Sequence, residues 1–263
     1  MNATAKGRSV DELLRSVSAS RLGTFQSCRL KFFFQYVQGL SSEKSPARLV
    51  GSAVHQALKR WNLSRWRKQP ITTDALKQEV DAFWDAEANA AWLPPERKEH
   101  EDQAWALVEM YLSATPIPPN ESAEGVEVAV EADLTSHGLT KLVGILDLVR
   151  PAGKIVDFKT AAQTPNPEKA VHLHETQLSV YGVLYRECTG KRESGFELHN
   201  LVKLKTPKLV VVEAPTMTEQ QKTRLFRQLE SYLEGVRRED WVPSPSPMSC
   251  ACCEFYNHCR RWS

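Results

Sequence analysis

The stretch that most constrains this chain runs from Lys141 to Thr160 and reads KLVGILDLVRPAGKIVDFKT. Two apolar runs flank the turn signal Pro151-Ala152-Gly153, which predicts a β-hairpin. Each arm carries an acid where the apolar pattern would otherwise continue. Asp147 closes Gly144-Ile145-Leu146, and Asp157 follows Ile155-Val156. Side chains alternate along a strand, so Asp157 and Lys159 fall on one face. Two carboxylates and an ammonium on a mostly buried sheet are costly unless something pairs them. Taken alone, the hairpin fits two readings. A divalent cation between the acids, with Lys159 beside it, suits phosphodiester hydrolysis: the metal activates water and the lysine steadies developing charge. The bland alternative is a surface hairpin with an exposed Asp–Lys ion pair, because D-x-K by itself is a weak pattern.

Charge distribution adds more than total charge. The net charge is only +2, but from Arg21 to Lys68 ten basic residues face a single acid, Glu43. Acids then dominate from Glu79 to Asp102. A basic face beside an acidic helix fits a polyanion path, and a solvated helix face fits any single charge equally well. No apolar run is long enough to span a bilayer, and Met1 to Arg15 lacks the apolar centre of a signal peptide. A cytoplasmic, reducing compartment is expected. There the six cysteines are better used as metal ligands than as a disulfide framework.

Along the chain, residues 1–17 are polar and expected to be flexible. Residues 18–263 form one expected domain in three parts. The first, 18–119, is helical. It contains an N-cap at Ser18-Ala19-Ser20, an aromatic run from Phe32 to Tyr36, a mobile basic connection from Ser41 to Arg48, and a helix opened by Leu49 to His55. The aromatic run is expected in the core. The second part, 120–240, holds the sheet. Val126, Val128 and Val130 alternate with Glu127, Ala129 and Glu131 as a half-buried strand, and the hairpin follows. A helix is expected around Glu175 to Arg186, strands at Leu198–Lys205 and Leu209–Glu213, and an amphipathic helix from Thr218 to Glu239. The tail, 241–263, is cysteine-rich and irregular. Thr189-Gly190-Lys191 lacks the leading glycine of a phosphate loop, so no nucleotide-driven motor is expected.

Three smaller constellations carry chemistry. Gln177 and Tyr181 lie four apart on one helix face, where both can hydrogen-bond to phosphate or hold Lys159. Cys250, Cys253 and Cys259 give C-x₂-C-x₅-C, with Cys252 interposed. Three thiolates make an incomplete tetrahedral site, and sulfur ligands favour zinc or an iron–sulfur cluster. The fourth ligand is open between His258, close in sequence, and the distant Cys28. Cys188 reads as a buried helix residue, and His55 alone as either a satisfied helix histidine or a ligand.

In this order the motifs resemble the RecB-like branch of the PD-(D/E)XK nucleases, above all the stand-alone exonucleases and Cas4-type proteins with an iron–sulfur cluster. Ser18-Ala19-Ser20-Arg21-Leu22 with Cys28 looks like the family's opening helix, and Gly51-Ser52-Ala53-Val54-His55 like its histidine motif. Gly144-Ile145-Leu146-Asp147 matches G-h-h-D, Asp157-Phe158-Lys159-Thr160 matches D-x-K, and Gln177 to Tyr181 is similar to Q-x-x-x-Y. The resemblance implies an α/β fold with a restriction-endonuclease-like core: a central mixed sheet flanked by helices, with an N-terminal helical region and a C-terminal iron–sulfur clasp. It implies that His55, Asp147 and Asp157, helped by the Phe158 carbonyl, bind Mg²⁺ or Mn²⁺. Lys159 becomes the catalytic lysine, with Gln177 and Tyr181 in support. Cys28, Cys250, Cys253 and Cys259 would hold a [4Fe-4S] cluster, whose rival is a zinc site using His258 or Cys252. The expected activity is a metal-dependent deoxyribonuclease, a RecB-family single-strand exonuclease or a Cas4-like enzyme trimming DNA ends. Its partners would be DNA with free or single-stranded ends and a separate helicase, recombination or CRISPR protein. Arg21, Lys31, Arg48 and Arg60 are the candidate DNA contacts. The reading from another class is a non-catalytic DNA-binding scaffold with a zinc-held tail.

Overall fold

Alternation along the second arm of the hairpin separates two hydrophobic cores. The computed structural model of the protein describes residues 7–40, 45–86 and 94–262. In chain order the main elements are α1 (Val10–Arg15), β1 (Ser16–Ser18), α2 (Ala19–Ser27), α3 (Arg29–Phe32), α4 (Pro46–Trp66), α5 (Thr73–Ala86) and α6 (Pro94–Ala114). Then come β2 (Gly125–Asp133), β3 (Lys141–Arg150), β4 (Lys154–Ala161), α7 (Pro167–Leu173), α8 (Glu175–Thr189), β5 (Gly195–Val202), β6 (Lys208–Ala214), α9 (Glu219–Arg237), α10 (Pro247–Ala251) and α11 (Tyr256–Cys259). Ile155 on β4 packs into a core with residues of α1, α2, α8 and α9. Its neighbour Val156 packs into a second core with α4, α5 and α6. The sheet is therefore mixed and lies between two helical layers.

The hairpin is present as expected, turning through Pro151–Gly153 with Ala152 at φ 59° and Gly153 at φ 70°. A Cβ on Gly153 would run into the ring of Tyr185, so only glycine fits there. β3 pairs along its length with β2, antiparallel, from Gly125↔Val149 to Asp133↔Lys141. On its other edge the sheet forks. β4 pairs with β3 only over Leu148↔Val156 to Arg150↔Lys154, while β1 joins in parallel over Ser16↔Lys141 to Ser18↔Val143. Beyond the last pair β4 stays parallel to β5 and parts from β3. Residues 144–147 of β3 thus have no strand partner on that edge, and Asp147 stands at the mouth of the fork.

The expectation of a flexible N-terminus is corrected for residues 7–17; residues 1–6 lie outside the described ones. Ser9 and Glu12 form a reciprocal capping box that starts α1, and Leu13 and Val17 are fully buried. Val10, Leu13, Leu14 and Val17 keep the i, i+3, i+4, i+7 spacing of a helix face, and packing against α9 and pairing with β3 bury it. The mobile connection is also revised in part. Residues 41–44 are outside the described set, but Ser45 caps α4 and Arg48 sits in its first turn. Cys188 is exposed, not buried, at the end of α8, with its thiol donating to the Glu131 carbonyl at 3.3 Å.

The two ends of the chain meet. Leu30 N–H donates to the Val242 carbonyl at 3.2 Å, Lys31 pairs with Glu254 at 2.9 Å, and Arg29 pairs with Asp240. Phe34 packs on Phe255 with ring centres 5.8 Å apart. The aromatic run expected in the core does supply Phe32 and Phe34 to it, through a π-helical turn at Phe33–Val37.

Candidate active site

The fork lets side chains from both helical layers reach the same two carboxylates. Continuing the hairpin register, Asp147 stands opposite Asp157 at the first position where β3 and β4 no longer pair. Asp147 Oδ2 instead accepts from the Phe158 backbone N–H at 3.0 Å, tying the strands across the gap. From the α4 side His55 Nδ1 comes within 3.6 Å of Asp147 Oδ2. From the α8 side Gln177 and Tyr181 reach Asp157. Gln177 Nε2 donates to Asp157 Oδ1 at 3.0 Å and to the Tyr181 hydroxyl at 2.7 Å, and Tyr181 donates to Asp157 Oδ1 at 3.2 Å. Lys159 Nζ donates to Gln177 Oε1 at 2.8 Å and lies 2.8 Å from Asp157 Oδ2. The exposed surface hairpin is excluded: the Asp157 side chain is 2% exposed.

Electrostatics follow from this crowding. Burial pushes the Asp147 carboxyl up to about 6, and the neighbouring Asp157 charge adds to the effect, against the pull of His55. Burial also raises the Tyr181 phenol, helped by both aspartates, so it stays a hydrogen-bond donor. His174, just before α8, is lowered by burial and by the Lys159 charge.

The structure brings a further acid that the sequence reading left on the polar side of a strand. Glu127 of β2 lies in the same register position as Asp147 of β3, between the pairs Val126↔Leu148 and Val128↔Leu146. Ligand atoms of His55, Glu127 and Asp147 all fall within 4.8 Å of one another. Glu127 holds a left-handed backbone, φ 49°, which is strained for a residue with a Cβ, and strain of this kind concentrates at functional sites. Only its place among valines could have flagged it. Asp157 does not belong to that tight trio, because Gln177 and Tyr181 hold one of its oxygens and Lys159 faces the other. Oδ2 of Asp157 is nevertheless buried without a hydrogen bond. An imidazole and two carboxylates gathered in this way, with Asp157 across the fork, fit a divalent metal taking oxygen ligands.

The model of the PD-(D/E)XK nuclease superfamily matches residues 16–260. The chain belongs to the PD-(D/E)XK nuclease superfamily. Members are metal-dependent nucleases, and His55, Glu127 and Asp147 form a candidate metal site at the fork. A crystal structure provisionally called an exonuclease, from Eubacterium rectale, aligns with 18% identity over 98% of this nuclease-family chain and 93% of that one, at a TM-score of 0.65. At that identity it shows a shared fold. The structure of SSO0001 aligns with 13% identity over 96% of this chain and 92% of that one, at a TM-score of 0.41, too low to establish the same. No curated protein gives a match.

The other expected residues fall in two places. Cys28, Cys250, Cys253 and Cys259 line one cavity of about 230 Å³ where the chain ends meet. Burial raises the Cys259 thiol, with the other three adding. Among the described residues no three of these thiols lie within 4.8 Å of one another. Cys252 is exposed, and neither it nor His258 lines that cavity. Of the four candidate DNA contacts, Arg21 lines a cavity of about 790 Å³ beside Asp147. Lys31 pairs with Glu254 and lines the cysteine cavity, Arg60 pairs with Glu79 at 2.7 Å, and Arg48 is exposed at the start of α4. Among the described residues no helix is long and apolar enough to cross a membrane.

Proposed function

We propose that this superfamily member is a Mg²⁺- or Mn²⁺-dependent deoxyribonuclease of the RecB-like branch, acting on single strands from free ends. The observation that carries the reading is the linked set Asp157, Lys159, Gln177 and Tyr181 at the fork, with Asp147 and His55 beside it. His55, Glu127, Asp147 and Asp157, with the Phe158 carbonyl, would hold the metal. When bound, the metal polarises the scissile phosphate and acidifies water. Lys159, fixed by Gln177, orients the attacking water and faces the charge that develops on phosphorus. Gln177 and Tyr181 keep Asp157 aimed by donating to one of its oxygens. A Cas4-like trimming role uses the same chemistry and differs in partner.

A [4Fe-4S] cluster held by Cys28, Cys250, Cys253 and Cys259 is part of the proposal. Its support is that these four thiols, and not Cys252 or His258, share a cavity. Tetrahedral zinc at about 2.3 Å from each sulfur would hold thiolates only about 3.8 Å apart. Among the described residues no three of the thiols are gathered that closely. The cluster would fasten ends already joined by Leu30–Val242 and Lys31–Glu254.

End-labelled single-stranded DNA beside a closed single-stranded circle, each with and without EDTA, tests the activity. Loss of the linear substrate alone, abolished by chelator, is expected. Cleavage of the circle would move the assignment to an endonuclease, and no metal-dependent cleavage of either would return the chain to the scaffold reading.

A further inference from the structure

The cavity of about 790 Å³ beside Asp147 carries a second message at its far end. It runs from Asp147, Gln177 and Tyr181 to Arg8 and Arg21, with Ser18, Ser20 and Tyr36 along the wall. Arg21 is half-buried; Nη2 donates to the Ser16 hydroxyl at 3.0 Å, and Tyr232 lies against it. Arg8 stacks its guanidinium toward the Tyr36 ring at 5.9 Å. The two guanidiniums are near enough that Arg8 lowers the Arg21 pKa, although burial lowers it more. Among the described residues no carboxylate pairs with either one. Glu131 also lines the cavity, but its carboxylate pairs with Lys141 at 3.2 Å.

Two like charges held together without an acid are unfavourable unless an anion joins them. The start of α2 beside Arg21 adds hydroxyl groups that can serve the same anion. The Ser18 and Ser20 hydroxyls are 3.1 Å apart at the N-terminus of α2, a nine-residue helix with no acid in its first turn. Guanidiniums, hydroxyls and a helix N-terminus together match a phosphate group. Ile145, 52% exposed in spite of its apolar side chain, lies in the floor between this end and Asp147. An apolar floor between two polar ends suits the base or sugar that links two phosphates.

We propose that Arg8, Arg21, Ser18 and Ser20 form a phosphate-binding subsite for the nucleic-acid strand whose next phosphate lies at Asp147. This rests on the nuclease reading for the position of the scissile phosphate, but not for the anion site itself. The phosphate is either a terminal monophosphate, which would make the subsite a reader of strand ends, or an internal phosphodiester.

The test uses the full-length protein in EDTA, so that binding is read without cleavage. Fluorescence anisotropy compares a labelled single-stranded decamer carrying a 5′-phosphate, a 3′-phosphate or neither, over a salt series. Arg8→Gln is the main variant, because Arg8 is exposed and its loss leaves the core intact. Arg21→Lys keeps the charge and removes the fork-shaped donor. If the subsite takes a terminal phosphate, one phosphorylated decamer binds about tenfold tighter than the bare one, and both variants erase that gain. If it takes an internal phosphate, Arg8→Gln weakens all three alike and lowers the salt slope by about 0.7. Unchanged affinity and slope in both variants would overturn the subsite. Metal-dependent cleavage measured separately keeps the two ideas apart. A protein that never cuts but binds in an Arg8-dependent way loses the nuclease reading and keeps the phosphate site.

Discussion

The ammonium of Lys159 stands 2.8 Å from Oδ2 of Asp157, yet that buried oxygen accepts no hydrogen bond. The contact is an ion pair, and the same ammonium donates a hydrogen bond to Gln177 Oε1 at 2.8 Å. Lys159 is held between the amide of Gln177 and the carboxylate of Asp157, whose Oδ2 has no other partner. Lys159→Ala and Asp157→Ala should each lower cleavage about 10²–10³-fold while single-strand binding stays near wild type. Near-wild-type turnover by either purified variant in Mg²⁺ would remove these residues from the mechanism.

Glu127 is the acid whose role follows from position alone. Its carboxylate shares a 4.8 Å cluster with His55 and Asp147. Glu127→Gln should weaken Mn²⁺ binding about tenfold or more in calorimetric titration, with the fold unchanged by circular dichroism. Ca²⁺ should support DNA binding without efficient cleavage, because it acidifies water poorly. If Glu127→Gln binds Mn²⁺ as tightly as wild type, the carboxylate serves only Lys59, which it meets at 3.6 Å.

Asp147 makes stability and metal affinity depend on pH in opposite ways. Its carboxyl rises from 3.8 to about 6, chiefly through burial. The folded protein therefore holds this proton more tightly than the unfolded chain does. The stabilisation is full below about 3.8 and is lost as pH rises through about 6. In EDTA, Asp147→Asn should melt above wild type at pH 7.5, and the gap should close toward pH 4. Mn²⁺ affinity of the wild type should fall as pH drops below about 6, because the proton competes for the ligand. A melting gap independent of pH would mean that Asp147 is not the group responsible.

Cys28 tests the link between the chain ends. Protein purified anaerobically should be brown, with iron and sulfide near four each per cluster of the proposed type. Cys28→Ser should lose most of that iron and melt at a lower temperature, since metal binding and folding are coupled. Full iron content and an unchanged melting temperature in Cys28→Ser would place the metal within the tail alone.

Local chemistry settled what sequence could settle. Alternation of Ile155, Val156, Asp157 and Lys159, the turn at Pro151–Gly153 and the four-residue step from Gln177 to Tyr181 are short-range patterns, set by backbone period and turn geometry. They disclosed the hairpin, the helix and the family's motifs. Three features needed the folded chain. Residues 10–18 join the fold because α1 packs on α9 and β1 finds the vacant edge of β3, its paired residues 125 positions away in the sequence. Glu127 becomes a metal candidate only through its register opposite Asp147. Arg8 and Arg21 come to share one cavity with Asp147 only through the tertiary fold, Arg21 on α2 and Arg8 tied by its N–H to the Tyr36 carbonyl at 2.9 Å. Register and packing are long-range: many distant contacts choose among pairings that each segment, taken alone, would accept equally well.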